Sequence, residues 1–212
     1  AVLAGDFLFA QASWHLANLD NVKVVKLLSR VIMDLAEGEI KQNLNRFDSA
    51  QTFSKYINKS YCKTASLIAN STKAAGVLCN LEDEQLNHLY EFGKNIGLAF
   101  QVVDDILDFT GNDKQLGKPA VSDLASGYLT APVLYALEEN ENLSVLINRE
   151  LVEKEDLNNA LNIVMNSQAI KRSRKLAEDF ALHSKEALLW LPDSEYKRAL
   201  LSLPEFVLSR LY

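Results

Sequence analysis

The stretch GLAFQVVDDILDF, from Gly97 to Phe109, contains the most concentrated chemical pattern of the chain. We apply the helical rotation of about 100° per residue to it. Its polar side chains then fall within roughly a 100° arc of one face; they are Gln101, Asp104, Asp105 and Asp108. Most apolar side chains fall on the other side, so the stretch predicts a helix with an apolar back and an acidic front.

The acidic front has two opposing interpretations. Carboxylates on adjoining turns repel one another, and a solvated acidic face is the ordinary explanation of such a pattern. Here the flanking residues are apolar, so the helix is expected to be buried nearly all round, where uncompensated acids are costly. A positive partner would relieve the repulsion, and Mg²⁺ commonly joins one or two carboxylates to substrate phosphates.

Length and composition narrow the function classes. The chain has 212 residues, which is typical of one domain, and 48% of them are hydrophobic. A formal net charge of −6, without a long basic run, argues against nucleic-acid binding. No apolar run approaches ~20 residues, so no transmembrane segment is predicted. Cys62 and Cys79 lack metal-ligand spacing and are interpreted as buried thiols of an intracellular protein.

Helical periodicity extends over nearly the whole chain, and no strand pattern is present. Asp20 is a plausible N-cap for a helix that begins at Val22. A polar loop is predicted from Thr110 to Gly127, where glycine and proline recur. The predicted helices cover residues 1–19, 22–44, 53–79, 82–109, 129–139, 157–165, 170–191 and 194–211, with a break and a short helix in 140–148. The chain is therefore expected to be all-α.

Lys63 and Thr64 are a second candidate for chemistry, within YINKSYCKTASL. A lysine next to a hydroxyl on an otherwise apolar helix suits a diphosphate, because it offers one point charge and one hydrogen-bond donor. The alternative is a lysine that extends its ammonium to the surface. Gln42, in EGEIKQ, is as compatible with a surface amide as with a site residue.

The acidic stretch, followed by LGKPAVSDLASGYLTAPVLYAL, resembles the second aspartate-rich region of trans-type polyprenyl diphosphate synthases, in particular the long-chain synthases of the solanesyl diphosphate type. The resemblance covers Ala1 to about Leu137 and continues more weakly beyond. It implies one synthase domain over residues 1–212, with an isoprenoid-synthase-type helical bundle around a central cavity. It also implies a homodimer, formed largely by the first two helices of this chain.

The resemblance implies a Mg²⁺-dependent condensation. Isopentenyl diphosphate would attack an allylic prenyl diphosphate, extending an all-trans chain toward a long-chain product of the quinone side-chain type. The implied metal ligands are Asp104, Asp105 and Asp108. The implied substrate-binding and catalytic residues are Lys63, Thr64, Gln101 and Lys118, with Gln42 facing the substrate cavity. Asp123 would be a further acid linked to the metal.

Three departures from the family pattern are visible. The first aspartate-rich motif is absent, so we expect a C-terminal portion of a larger synthase that has little or no elongation activity by itself. Tyr128 stands where many relatives have a second lysine, and Val121 stands where they have glycine. The departures at Tyr128 and Val121 leave open a non-catalytic partner subunit of a heteromeric synthase. A helical interaction module without a ligand, in which the acids are merely solvated, and, more weakly, a terpene cyclase are further alternatives. Plastid, other organelle and bacterial cytoplasm all remain possible locations.

Overall fold

The computed structural model describes residues 2–111 and 121–211, and every regular element within these ranges is helical. The all-α prediction is therefore confirmed for this part of the chain. Lys118, Gly117 and Pro119, which are predicted to lie in the loop after the acidic helix, fall outside the described residues.

The described helices follow one another with short connections. They are α1 (Val2–Ala17), α2 (Val22–Leu44), α3 (Phe53–Ser60), α4 (Ser66–Leu78), α5 (Asp83–Thr110), α6 (Ser122–Ala125), α7 (Ala131–Glu139), α8 (Glu141–Asn148), α9 (Asp156–Met165), α10 (Ala169–Glu186) and α11 (Glu195–Ser209). A π-helical turn, Tyr61–Ala65, joins α3 to α4. The predicted helix over 53–79 is thus continuous but contains a local change of helix type.

Helix α5 lies at the centre of the packing, with α4, α10 and α11 against it and the π-helical turn close by. Its predicted apolar back is confirmed, because Val102, Val103 and Ile106 are fully buried. Gly97 faces the π-helical turn so closely that an added Cβ would lie 2.6 Å from the Cα of Ala65. Its lack of a side chain therefore sets the short distance between α5 and this turn.

Local capping explains several helix boundaries. The side chain of Asn21, and not that of Asp20 as predicted, accepts from the backbone N–H of Val24 at 3.2 Å and begins α2. Thr52 and Ser194 cap α3 and α11 in the same way. Short polar side chains at these positions satisfy N–H groups that the first helical turn leaves without partners.

Some predicted details were wrong. Cys79 is exposed, whereas Cys62 is buried as expected. The polar loop contains the short helix α6, and the helix expected to reach residue 191 ends at Glu186. No residue of α1 is buried, and Trp14 is 62% exposed. Within the described ranges, we find no helix with the length and apolar character needed to cross a bilayer.

Candidate functional site

The three carboxylates of the acidic stretch Gly97–Phe109 occupy three different environments. Asp105 and Asp108 are buried, at 2% and 0% relative exposure, whereas the side chain of Asp104 is 38% exposed. The interpretation of the acidic front as a solvated face is therefore wrong for Asp105 and Asp108. Each buried carboxylate needs its own hydrogen-bond donors, since burying a charge without them is costly.

Asp105 receives its donors from two helices. Its Oδ2 accepts from the Tyr56 hydroxyl at 2.6 Å, and its Oδ1 accepts from Gln101 Nε2 at 2.9 Å. Thr64 donates to Gln101 Oε1 at 2.7 Å, which fixes the direction in which the amide points. Burial raises the pKa of Asp105 to about 6, although the hydrogen bonds from Tyr56 and Gln101 and the charge of Lys59 oppose this shift. The hydrogen bonds from Thr64 to Gln101 and from Gln101 to Asp105 thus fix the orientation of one carboxylate in the last two turns of α5.

Asp108 connects α5 to the residues at the start of α6. Its carboxylate accepts from the Ser122 hydroxyl at 3.1 Å and from the backbone N–H of Asp123 at 3.1 Å. Its carbonyl oxygen accepts from the N–H of Val121 at 2.8 Å. Val121 has a positive φ of 61° at this point. Asp108 therefore orders the start of α6, where Asp123 is positioned.

Asp104 forms an ion pair with the residue that follows α11. Its Oδ1 lies 2.7 Å from a guanidinium nitrogen of Arg210, which directly follows α11. The Arg210 guanidinium also lies over the Phe100 ring, 4.7 Å from the ring centroid. Sequence analysis did not identify Arg210, because its contact joins positions that are distant in the sequence and share no periodic pattern.

The π-helical turn positions Lys63 and Thr64. The Lys63 ammonium donates to Gln42 Oε1 at 2.9 Å and pairs with Glu39 at 3.1 Å. Helix α2 approaches closely here because it has Gly38, where an added Cβ would lie 3.1 Å from the Cβ of Cys62. π-Turns within α-helices are frequent at functional sites, since they rotate the side chains relative to the regular helix.

A polar pocket brings together four of the eight sequence-predicted site residues, namely Gln42, Lys63, Gln101 and Asp105. Its empty space, including the mouth that opens to solvent, is about 370 Å³. Its lining consists of Gln42, Lys59, Ser60, Lys63, Gln101, Asp105, Asp123, Tyr128 and Thr130. Thr64 reaches this group through its hydrogen bond to Gln101. Lys59 and Tyr56 were missed by sequence reasoning. Their spacing from Lys63, at four and seven residues, is the signal that places all three on one helical face.

The metal-ligand prediction for Asp104, Asp105 and Asp108 stays a prediction. Among the residues that the structure describes, no three or more His, Cys, Asp or Glu side chains come together closely enough to hold a metal ion. The donor chemistry nevertheless fits Mg²⁺, which uses one or two carboxylates and completes its shell with water and substrate phosphates. Asp105 and Asp123 line the pocket, and Asp104 is partly exposed beside it in sequence. These are the carboxylates available for such a role.

The fold and the pocket define an all-helical protein with carboxylates, lysines and amides grouped around a central helix. The sequence profile of the family described as polyprenyl synthetase matches residues 1–164. The chain belongs to the polyprenyl synthetase family, which confirms the resemblance given by its acidic stretch.

Curated relatives agree with this assignment. A prenyl transferase of Synechocystis is 56% identical over 212 residues, which is all of this chain and 66% of the relative. The chloroplastic solanesyl diphosphate synthase 2 of Arabidopsis thaliana is 50% identical over 211 residues, equal to 100% of this chain and 51% of that protein. The chain therefore spans about half to two thirds of the length of the curated relatives it matches.

Solved structures share the fold. Heptaprenyl diphosphate synthase from Staphylococcus aureus superposes with a TM-score of 0.94 at 32% identity, covering 100% of this chain and 67% of that one. A medium/long-chain prenyl pyrophosphate synthase of Arabidopsis gives a TM-score of 0.90 at 38% identity, with coverage of 100% and 73%. The predicted isoprenoid-synthase-type bundle is confirmed by these neighbours.

Proposed function

We propose that this chain forms the diphosphate-binding part of a long-chain polyprenyl diphosphate synthase domain. The proposed reaction is the Mg²⁺-dependent condensation of isopentenyl diphosphate with an allylic prenyl diphosphate. The carbon–oxygen bond of the allylic diphosphate breaks, the double bond of isopentenyl diphosphate attacks the allylic carbon, and a proton is then lost. The observation that supports the proposal most directly is the polar pocket, where Lys63, Gln42, Gln101 and Asp105 line one cavity.

Each residue of this pocket has a distinct proposed task. Lys63 supplies a charge-assisted hydrogen bond to a phosphate oxygen, and Gln42 holds its ammonium in place beforehand. Gln101, oriented by Thr64, keeps Asp105 directed toward the pocket. Lys118 is proposed as a further phosphate ligand on the grounds of sequence alone. Such preorganised charges act most strongly where water is excluded.

Magnesium, when bound, would supply positive charge that stabilises the departing diphosphate. Asp105 and Asp123 are the proposed carboxylates at the pocket, and Asp104 is the proposed one at its margin. Asp108 is committed to Ser122 and to the backbone of α6, so its proposed contribution is to position Asp123. This division of labour refines the prediction that all three acids of α5 ligate metal.

An apolar groove between α1, α2 and α4 supports a lipid-like substrate. Its empty space, including the side open to solvent, is about 1010 Å³, and its lining includes Leu28, Leu35 and Leu67. Leu28, Leu35 and Gln42 are seven residues apart, so they lie on the same side of α2 and rise about 10 Å per step. We propose that the allylic tail follows this side of α2 away from the polar pocket.

A homodimer remains part of the proposal. The exposed apolar residues of α1, among them Phe7, Leu8 and Trp14, form a surface too apolar for solvent alone. Together with α2 they provide the surface that the resemblance assigns to a second copy. Sedimentation velocity of the chain tests this directly, with a monomer at all accessible concentrations as the contrary result.

Calorimetric titration with inorganic pyrophosphate and with farnesyl diphosphate, each with and without Mg²⁺, tests the proposed function. We expect binding that requires the metal and that Lys63→Met weakens by about tenfold or more. Farnesyl diphosphate is expected to bind more tightly than pyrophosphate, because its tail buries apolar surface in the groove. The absence of metal-dependent heat would instead support a helical interaction module.

Elongation needs a separate experiment. The chain alone is expected to incorporate little radiolabelled isopentenyl diphosphate. Fusion to the third of the Synechocystis relative that the chain does not match is expected to produce elongation. Asp104→Ala is expected to abolish this elongation, whereas a fusion that shows no elongation with Asp104 intact would favour the alternative of a non-catalytic partner subunit.

A further inference from the structure

Lys59 is a half-buried cation that has no ionic partner among the residues that the structure describes. Among the described residues it makes no hydrogen bond and no ion pair, and its ammonium instead lies 5.4 Å from the centroid of the Tyr56 ring. Burial lowers its pKa, a shift that the charges of Asp105 and Asp123 partly oppose. The neighbouring lysines do have acidic partners: Lys63 pairs with Glu39, and Lys55 lies 3.9 Å from Asp48.

The support beneath Lys59 is rigid. Tyr56 is fully buried, and its hydroxyl donates to Asp105 at 2.6 Å, so the ring cannot turn away. A cation over an aromatic face is held there by the quadrupole of the ring. The ring contact therefore favours a position of the Lys59 ammonium within the pocket over the extended position that a lysine on a solvated helix takes.

The pocket that Lys59 lines also contains an unsatisfied polar atom. The hydroxyl of Thr130 is buried and has no hydrogen-bond partner in the described part of the chain. Both side chains line the same cavity as Lys63. A buried hydroxyl without a hydrogen-bond partner is energetically unfavourable. An unpaired ammonium, a second ammonium and an unpaired hydroxyl around one cavity match a ligand with several acceptor oxygens.

We propose that Lys59 is a diphosphate-binding residue, which donates with Lys63 and Thr130 to the phosphate oxygens of one bound diphosphate. This inference rests on the proposed function and extends it to a residue outside the expected Lys63–Thr64 pair. Two lysines on one helical face neutralise more of the charge of a diphosphate than one lysine does, and Thr130 provides a donor from the start of α7.

Lys59→Met tests the inference, because methionine keeps most of the apolar stem and removes the charge. The matched control is Lys73→Met. Lys73 also lies over a ring, 5.4 Å from the centroid of Tyr90, but it donates to Asn87 and does not line the pocket. We measure the affinity of inorganic pyrophosphate with Mg²⁺ by calorimetry and the melting temperature of each variant with and without pyrophosphate.

We expect Lys59→Met to weaken pyrophosphate binding by about tenfold or more, and Lys73→Met to change it by less than about twofold. Lys59→Arg is expected to restore most of the affinity, since it keeps the charge at the same place. A purely structural lysine would lower the melting temperature of the free protein and leave the pyrophosphate affinity of the folded protein unchanged. Equal affinity in the wild type and Lys59→Met would overturn this inference alone, whereas no binding by the wild type would overturn the proposed function as well.

Discussion

The guanidinium of Arg210 lies 2.7 Å from the carboxylate of Asp104, so a cation next to α11 neutralises the most exposed of the three acids in the stretch Gly97–Phe109. One nitrogen of the same guanidinium is buried without a hydrogen-bond partner in the described structure. Arg210 is thus held over Phe100 with part of its donor capacity unused. A metal ion that binds Asp104 would compete with a cation already in place.

Removal of Arg210 is therefore expected to strengthen metal binding in the absence of diphosphate. Arg210→Met leaves Asp104 without its counter-charge, and we expect the affinity for Mn²⁺, as a paramagnetic substitute for Mg²⁺, to rise by about threefold to tenfold. Electron paramagnetic resonance of free Mn²⁺ measures this affinity. The matched control is Lys185→Met, which removes another cation next to α11, the partner of Glu205. Unchanged Mn²⁺ affinity in Arg210→Met would count against Asp104 as a ligand.

The burial of Asp105 predicts a pH-dependent stability. Its pKa in the folded protein is about 6, above the value of about 3.9 in an unfolded chain. The fold therefore favours the protonated form, and this stabilisation is present below about pH 4 and is lost as the pH rises through about 6. Besides Gln101, the groups that face the carboxyl are Tyr56, Lys59 and Asp123. Above pH 6, the charge of Asp105 costs on the order of 2–3 kcal/mol.

Asp105→Asn, studied in the metal-free protein, tests whether the buried charge of Asp105 lowers the free energy of unfolding above pH 6. Asparagine still accepts from Tyr56 but carries no charge. We expect the variant to gain free energy of unfolding at about pH 7.5, and to gain little at about pH 4.5, by urea denaturation. Asp104→Asn is the comparison, because it leaves Arg210 unpaired and is expected to stabilise at neither pH. A gain for Asp105→Asn that is equal at both pH values would show that charge burial is not its cause.

Helical periodicity anticipated most of the fold because each long helix buries a regular apolar stripe. The π-helical turn at 61–65 was not predicted, since no glycine, proline or capping residue marks it; it forms where Gly38 and Gly97 let two helices approach. Rotation along α5 predicted that Asp104 and Asp105 share one face of the helix. It could not show that one would pair with Arg210 and the other with Tyr56, because tertiary contacts decide those partners.

Thr64 is expected to act through Gln101. In Thr64→Val the side chain keeps its shape and loses the donor that fixes the amide, so Gln101 can rotate away from Asp105. We expect pyrophosphate affinity with Mg²⁺ to fall by about threefold to tenfold and the free energy of unfolding to fall by about 1 kcal/mol. Thr64→Ser keeps the hydroxyl and is expected to retain the affinity. Equal losses in both variants would assign the effect to packing.

Gly97 connects the packing of α5 on the π-helical turn to the geometry of the polar pocket. An alanine Cβ there would lie 2.6 Å from the Cα of Ala65 and 2.8 Å from its Cβ, so α5 and the π-helical turn would have to separate. We expect Gly97→Ala to lower the free energy of unfolding by about 1–3 kcal/mol. Separation would also stretch the contact between Thr64 and Gln101, so pyrophosphate affinity should fall with stability.

Gly5 provides the matched control for this substitution. It lies within α1, where an added Cβ would meet no side chain and no atom of another helix of the same copy within 4 Å, so within one copy Gly5→Ala adds only helix propensity. We expect it to stabilise the protein by up to about 1 kcal/mol and to leave pyrophosphate affinity unchanged. Chemical denaturation and calorimetry of both variants separate the two effects. Suppose that Gly97→Ala changed the free energy of unfolding and the pyrophosphate affinity as little as Gly5→Ala. The contact between Thr64 and Gln101 would then not depend on the close approach of α5 to the π-helical turn.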